Sequence, residues 1–213
     1  MRFEALNDMA LTEDPKRRDA FYEFIPWNTD DLWREVNQCM AYTVKIHRRS
    51  LHRAVETARS LYSDLKSTYS VMDELCADIC PECREPCCRV AKLWFDFRDL
   101  IFLHLNKIPI PDAQPLAHYN DSCRYLGAAG CLLPRQARPW ICTYYVCPAQ
   151  TARLRKLSRT RLHELNALLE NIKTSRKRLE DEYVQGILPS APSQSSEWRK
   201  IVLPALEKDS RLF

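Results

Sequence analysis

Glycine is almost missing from this chain: there are three in 213 residues, where ordinary usage would be about 7%. So few glycines leave few tight turns and point to a mainly helical protein, with thirteen prolines supplying the punctuation. They also argue against a phosphate-cradling loop. Neither G-x-G-x-x-G nor a Walker lysine loop occurs, and H-E-x-x-H and G-x-S-x-G are absent as well. No stretch approaches the roughly 20 consecutive apolar residues of a membrane span. Residues Met1 to Asp8 contain no uninterrupted apolar run of the kind a secretory leader carries. These absences predict a cytoplasmic chain with no membrane partner.

What the chain does have is cysteine. Ten occur, and 46% hydrophobic residues are enough for the core of one ordinary domain with extensions. In a reducing cytosol clustered cysteine points to metal binding or redox chemistry rather than to disulfides. Cys80-Pro81-Glu82-Cys83-Arg84-Glu85-Pro86-Cys87-Cys88 places four thiols at the spacing C-x2-C-x3-C-C. A C-x2-C loop brings two sulfurs to one side of a turn, where both reach one metal at a Zn–S distance of about 2.3 Å. Cys123, Cys131, Cys142 and Cys147 follow, so eight thiols fall within 68 residues. Free cysteine also packs well as a small apolar residue. That reading suits Cys39 and Cys76, at or near helical apolar stripes, better than it suits the eight clustered thiols.

The combined pattern resembles the bacterial cysteine-cluster proteins described as zinc- or iron-chelating domains. Cys80, Cys83, Cys87 and Cys88 carry the C-x2-C-x3-C-C signature. Cys123 with Tyr125-Leu126, the turn into Cys131, and Arg138-Pro139 ahead of Cys142 complete the likeness. It covers roughly residues 76 to 148, about a third of the chain. The chain departs from the family after Cys142, where members carry an aromatic-proline pair and this sequence has Tyr144-Tyr145-Val146-Cys147-Pro148. The resemblance implies a metal centre and admits both zinc and iron–sulfur.

Two structural zincs would use eight thiolates, and a [4Fe–4S] cluster takes four. Adjacent Cys87 and Cys88 diverge and do not readily share one small tetrahedral ion; a larger cluster or a second site removes that objection. Cys80 and Cys147 each precede proline, a context of ferredoxin-type binding, which tilts the reading toward [4Fe–4S]. Arg138 is the candidate cofactor-facing residue, donating to metal-bound thiolates, while Pro139 fixes the entry to the Cys142 loop. His104 and His118 stand outside any ligand spacing and read as core or surface residues. Glu82, Glu85, Asp96 and Asp99 read as solvated or capping residues.

Around the cysteines the chain divides into five parts. Residues 1–27 form an arm that docks through aromatics. Residues 28–75 repeat Leu32, Val36, Met40, Leu51, Leu61, Leu65 and Met72 at helical spacing. That predicts a helix of about 68 Å at 1.5 Å per residue, or two shorter helices end to end. Residues 76–148 are the cysteine-cluster domain. In it, Val90 to Phe95 is a short strand or an irregular segment with Trp94 and Phe95 beside the cluster. Asp96 to Asn106 is helical, and Pro109, Pro111 and Pro115 forbid regular structure. Residues 149–186 form a second long helix, and 187–213 a linker and tail. The fold class is therefore mainly α, a cysteine-bound core flanked by two long helices in an antiparallel hairpin.

The net charge of +4 is concentrated: between Arg153 and Arg178 nine Lys or Arg face two acidic residues. An ion-paired, solvated helix face accounts for this better than contact with nucleic acid, for which no reading motif is present. The leading function is a cytoplasmic metal-binding protein. The alternatives are an iron–sulfur-dependent redox or methyl-transfer enzyme, which the resemblance brings in, and a zinc-stabilised module whose long helices or basic helix bind an unknown partner.

Overall fold

The computed structural model describes residues 25–118, 120–128 and 130–188. Most of the arm, and nearly all of the linker and tail, lie outside the described residues. The elements run α1 (Asp30–Ile46), α2 (His52–Ile79), α3 (Cys87–Val90), α4 (Phe97–Leu105), β1 (Leu126–Gly127), β2 (Gly130–Cys131), a 3-10 turn at Arg135–Ala137, α5 (Ile141–Tyr144), α6 (Pro148–Leu157) and α7 (Arg159–Ile187). The mainly helical class is as expected, with long helices packed together.

Helix α1 starts where its polar residues allow. The Thr29 hydroxyl accepts from Leu32 N at 3.3 Å, and Asp30 and Asp31 place negative charge in the first turn. The apolar periodicity then continues without Gly or Pro, yet the helix bends over residues 47–51. His47 and Leu51 leave helical ψ (17° and 10°), while Leu51 N still donates to His47 O at 3.0 Å. The bend turns Leu51 inward to 1% exposure. It also lets α1 pack on α4 while α2 packs on α7. The two-helix form of the expectation is the one adopted.

Helices α2 and α7 run antiparallel. The Thr57 hydroxyl donates to Glu182 Oε2 at 2.6 Å, and Arg161 Nη2 meets Glu74 Oε2 at 2.8 Å, one near each end of the pair. Ala54, Ala58, Leu61 and Leu65 from α2 join Ile172, Leu179 and Tyr183 from α7 in one apolar core. The far end of α7 closes tightly on the α1–α2 bend. A Cβ on Gly186 would lie 2.8 Å from Leu51 Cδ2 and 3.1 Å from Ser50 O, so any larger residue requires Leu51 and the Ser50 carbonyl to give way. The second long helix is also interrupted. Ser158 is extended (φ −164°, ψ 117°) and its hydroxyl caps α7 by accepting from Arg161 N at 3.2 Å.

Helix α4 is buried on nearly every side. The segment before it, residues 91–96, is irregular rather than a strand. Phe95 is fully buried against Trp33, ring centroids 5.3 Å apart, and so belongs to the helical core. The proline-rich stretch after α4 has no regular structure and is tied down by side chains. Trp33 Nε1 donates to Pro111 O at 2.7 Å. Gln114 accepts from Phe95 N and donates to Pro26 O, each at 2.8 Å.

Candidate metal centre

The cysteines arrive from three separate segments. The last turn of α2 carries Cys76, and Cys80 is its C-cap, with Cys80 N donating to Cys76 O at 3.0 Å. The chain then turns through Cys83, whose N–H donates to Cys80 O at 3.2 Å, into Cys87 and Cys88 of α3. Cys123 N donates to Cys88 O at 2.8 Å, docking the β1–β2 hairpin and its Cys131 against this turn. Cys142 lies in α5, and Cys147 is the N-cap of α6.

The helical body positions the third segment through a buried charge cluster. Asp96 and Asp99 form a reciprocal capping box on α4. Arg176 of α7 donates to both Asp96 oxygens at 2.7 and 2.8 Å and to Asp99 Oδ1 at 2.7 Å. That same Asp99 oxygen accepts from Trp140 N at 3.1 Å, and the Arg176 guanidinium lies 5.4 Å from the Trp140 ring centroid. The approach to Cys142 is thus hydrogen-bonded to the core. Asp96 and Asp99 are capping residues, as the sequence suggests, but Asp99 is buried and not solvated. Burial among fixed charges raises the Asp99 carboxyl to about 7, whereas Arg176 keeps the Asp96 carboxyl below its usual range against the effect of burial.

All ten cysteines are free thiols; Cys80, Cys83 and Cys87 are exposed, Cys123 is buried and the rest are half-buried. Their mutual influence sorts most of them into two neighbourhoods. Although Cys80 is exposed, partial desolvation of its sulfur, with the thiols of Cys76, Cys87 and Cys147, pushes it up to about 12. Burial, with Cys123, Cys131 and Cys87, raises Cys142. Cys88 is raised by its hydrogen bond to Cys87, by burial, and by Cys142 and Cys123 nearby. Cys87 lies between the groups and is lowered to about 6 because the Cys88 thiol donates to it. Among the described residues, no group of three or more His, Cys, Asp or Glu side chains stands in position to hold a metal ion as the chain is arranged here.

The donor set nevertheless fits a thiophilic metal in kind. Sulfurs outnumber other ligands in these segments, and nitrogen donors already point at them. Arg135 Nη2 lies 3.5 Å from Cys76 Sγ, Gln150 Nε2 lies 3.5 Å from Cys76 Sγ and 3.9 Å from Cys80 Sγ, and Gln150 N lies 3.4 Å from Cys147 Sγ. Arg138, the residue singled out from sequence, instead donates through Nε to Leu133 O at 2.9 Å. His104 is a core residue, its Nε2 2.9 Å from Asn37 Oδ1, and burial pushes it down to about 4. His118 is exposed and its backbone N donates to Asp121 Oδ2. Cys39 lies half-buried on α1. On the basic segment, Arg153 pairs with Asp78, Arg161 with Glu74 and Arg176 with the Asp96–Asp99 box.

Sequence reasoning assigned Cys76 to core packing and did not single out Arg135 or Gln150. Two signals were present. Cys76 and Cys80 are four apart, hence on one face of a helix. Cys147-Pro148-Ala149-Gln150 has the capping-box spacing with a thiol in place of the hydroxyl. No helix among the described residues is long and apolar enough to cross a membrane. Searches for similar proteins matched no protein-family model, no curated protein and no solved structure.

Proposed function

We propose that this chain is a metal-binding protein whose thiolates hold an iron–sulfur cluster, or zinc, at the end of the α2–α7 hairpin where α2 runs into its cysteines. The observation that carries the reading is the convergence of thiols from three segments, 76–88, 123–131 and 142–147, with all of them free and with amide and guanidinium N–H groups directed at sulfur. The candidate ligands are Cys80, Cys83, Cys87, Cys88, Cys123, Cys131, Cys142 and Cys147. The resemblance to zinc- or iron-chelating cysteine-cluster proteins adds support to the same set. Ligation has room to close it, because Cys80, Cys83 and Cys87 sit exposed around a turn without regular structure. Folding of such a turn is coupled to metal binding.

When bound, a [4Fe–4S] cluster would supply one-electron chemistry, and zinc a structural clamp. The chain's part is to deliver thiolates, to hold the Cys142 segment through Asp99, and to direct N–H donors at sulfur. Elemental analysis and absorption of anaerobically purified protein test the reading. A brown sample carrying iron and sulfide, with a broad band near roughly 400 nm, selects the cluster. Colourless protein carrying zinc selects the clamp. Protein that stays metal-free both after incubation with zinc and after incubation with ferrous iron and sulfide overturns it.

A further inference from the structure

We infer that Cys76 is a ligand of this centre and that Gln150 positions its sulfurs: Cys76, Cys80 and Cys147 form one thiolate set around the Gln150 carboxamide. This rests on the metal reading above and adds to it a ligand outside the C-x2-C-x3-C-C run.

The geometry is that of a shared anchor. Gln150 is 5% exposed, so its carboxamide must find its partners inside the protein. Its oxygen is used by Cys147 N, which donates at 3.1 Å. Its Nε2 faces sulfur, 3.5 Å from Cys76 and 3.9 Å from Cys80, and its backbone N–H faces the third sulfur, Cys147, at 3.4 Å. One residue therefore addresses three thiols that the sequence separates by up to 71 positions. Arg135, ion-paired to Asp73 at 2.5 Å, adds a second donor to Cys76. The ion pair of Arg153 with Asp78 clamps α6 beside the last turn of α2 and holds the arrangement.

A thiol sulfur is a weak acceptor, so a buried amide directed at thiols is poorly satisfied. A metal-bound thiolate accepts strongly. N–H donors on ligand sulfur orient it and offset its charge, as outer-shell groups do at metal sites generally. Cys76 receives two such donors, more than a packing residue requires. The i, i+4 spacing of Cys76 and Cys80 at the end of α2 presents both sulfurs to the same side. Three thiolates without carboxylate or imidazole suit a soft or borderline metal, zinc or the iron of a sulfide cluster.

The test uses the full chain, purified anaerobically and loaded either with zinc alone or with ferrous iron and sulfide. Cys76→Ser and Cys76→Ala should each bind less metal per chain than wild type, with helicity kept. Gln150→Leu should reach full stoichiometry at saturating zinc but with affinity lowered about 10–100-fold, measured by chelator competition. In the unmutated loaded protein, the Cys76 thiol should resist iodoacetamide and become reactive once a chelator strips the metal, as read by peptide mass spectrometry. Wild type that takes up metal while Cys76 is alkylated at the same rate with and without it overturns this inference and leaves the metal reading standing. Wild type that takes up no metal overturns both.

Discussion

The two ends of the α2–α7 hairpin are built from different materials. At one end Leu51, Ala54 and Tyr183 are 1%, 0% and 1% exposed, and Gly186 lets α7 close directly on the bend. At the other end Cys80, Cys83 and Cys87 are exposed, and large apolar side chains such as Val90, Leu132 and Tyr145 face outward at 55%, 69% and 48% exposure. Buried apolar area, at about 25 cal/mol per Å², is enough to order the first end. The second has a smaller apolar cluster, Met72, Leu75, Leu154, Leu165 and Leu169 with Trp140, Tyr144 and Val146 packed against it, and most of its cysteines sit in or beside four-residue helices and two-residue strands. In the proposed function, bonds from these thiols to metal would add to the order of that end. The two ends meet at Asp99, which accepts from Arg176 of the body and from Trp140 beside the cysteines.

The comparison is broken most forcefully at that junction. Arg176→Ala leaves the buried Asp99 and the half-buried Asp96 without their cation and should cost about 3–5 kcal/mol in denaturant unfolding. It should also loosen the Trp140–Cys142 segment. Leu61→Ala, in the middle of α2 and fully buried, should cost about 2–5 kcal/mol by leaving a cavity while metal content stays at the wild-type value. Loss of metal from that variant would show that the two ends are not separable.

A pH series sharpens the contrast further. His104 is held neutral in the fold at about 4, below its value of 6.5 when free, so the unfolded chain binds the extra proton first as pH falls. Its contribution is intact above pH 6.5 and is lost on descent toward pH 4, by up to about 3 kcal/mol for a shift of this size. Asp99, raised to about 7, works in the opposite direction over much of the same interval. The difference in unfolding free energy between wild type and His104→Gln removes the Asp99 contribution. It should move in favour of the variant between pH 7 and pH 4. The smallest effect is expected from Cys83→Ser, which should leave unfolding of the helical body within about 0.5 kcal/mol when both proteins are compared free of metal, while lowering metal content.

Legibility in the sequence followed the same division. Periodicity exposed the helices because their buried faces repeat every three or four residues, as in Leu61, Leu65, Thr68 and Met72 of α2. It could not locate the bend at 47–51, where no Gly or Pro marks the change and the cause is the separate packing of α1 on α4. It could not locate the Ser158 break either, since a serine in a basic helical run looks like surface. The thiols were legible from spacing alone. The donors beside them were legible only in part: the Cys147-to-Gln150 capping spacing is in the sequence, but the approach of Gln150 and Arg135 to Cys76 appears only when α6 and the 3-10 turn are laid against the end of α2. Arg138, singled out by its place beside Pro139 and ahead of Cys142, donates through Nε to Leu133 O.

Hydrogen exchange of the metal-loaded chain before and after chelation tests the division of labour between the two ends most directly. The account predicts that removing metal strips protection from residues 80–88 and 123–147 while amides of α2 up to Leu75 and of α7 keep theirs. Equal protection of the cysteine segments with and without metal would contradict it.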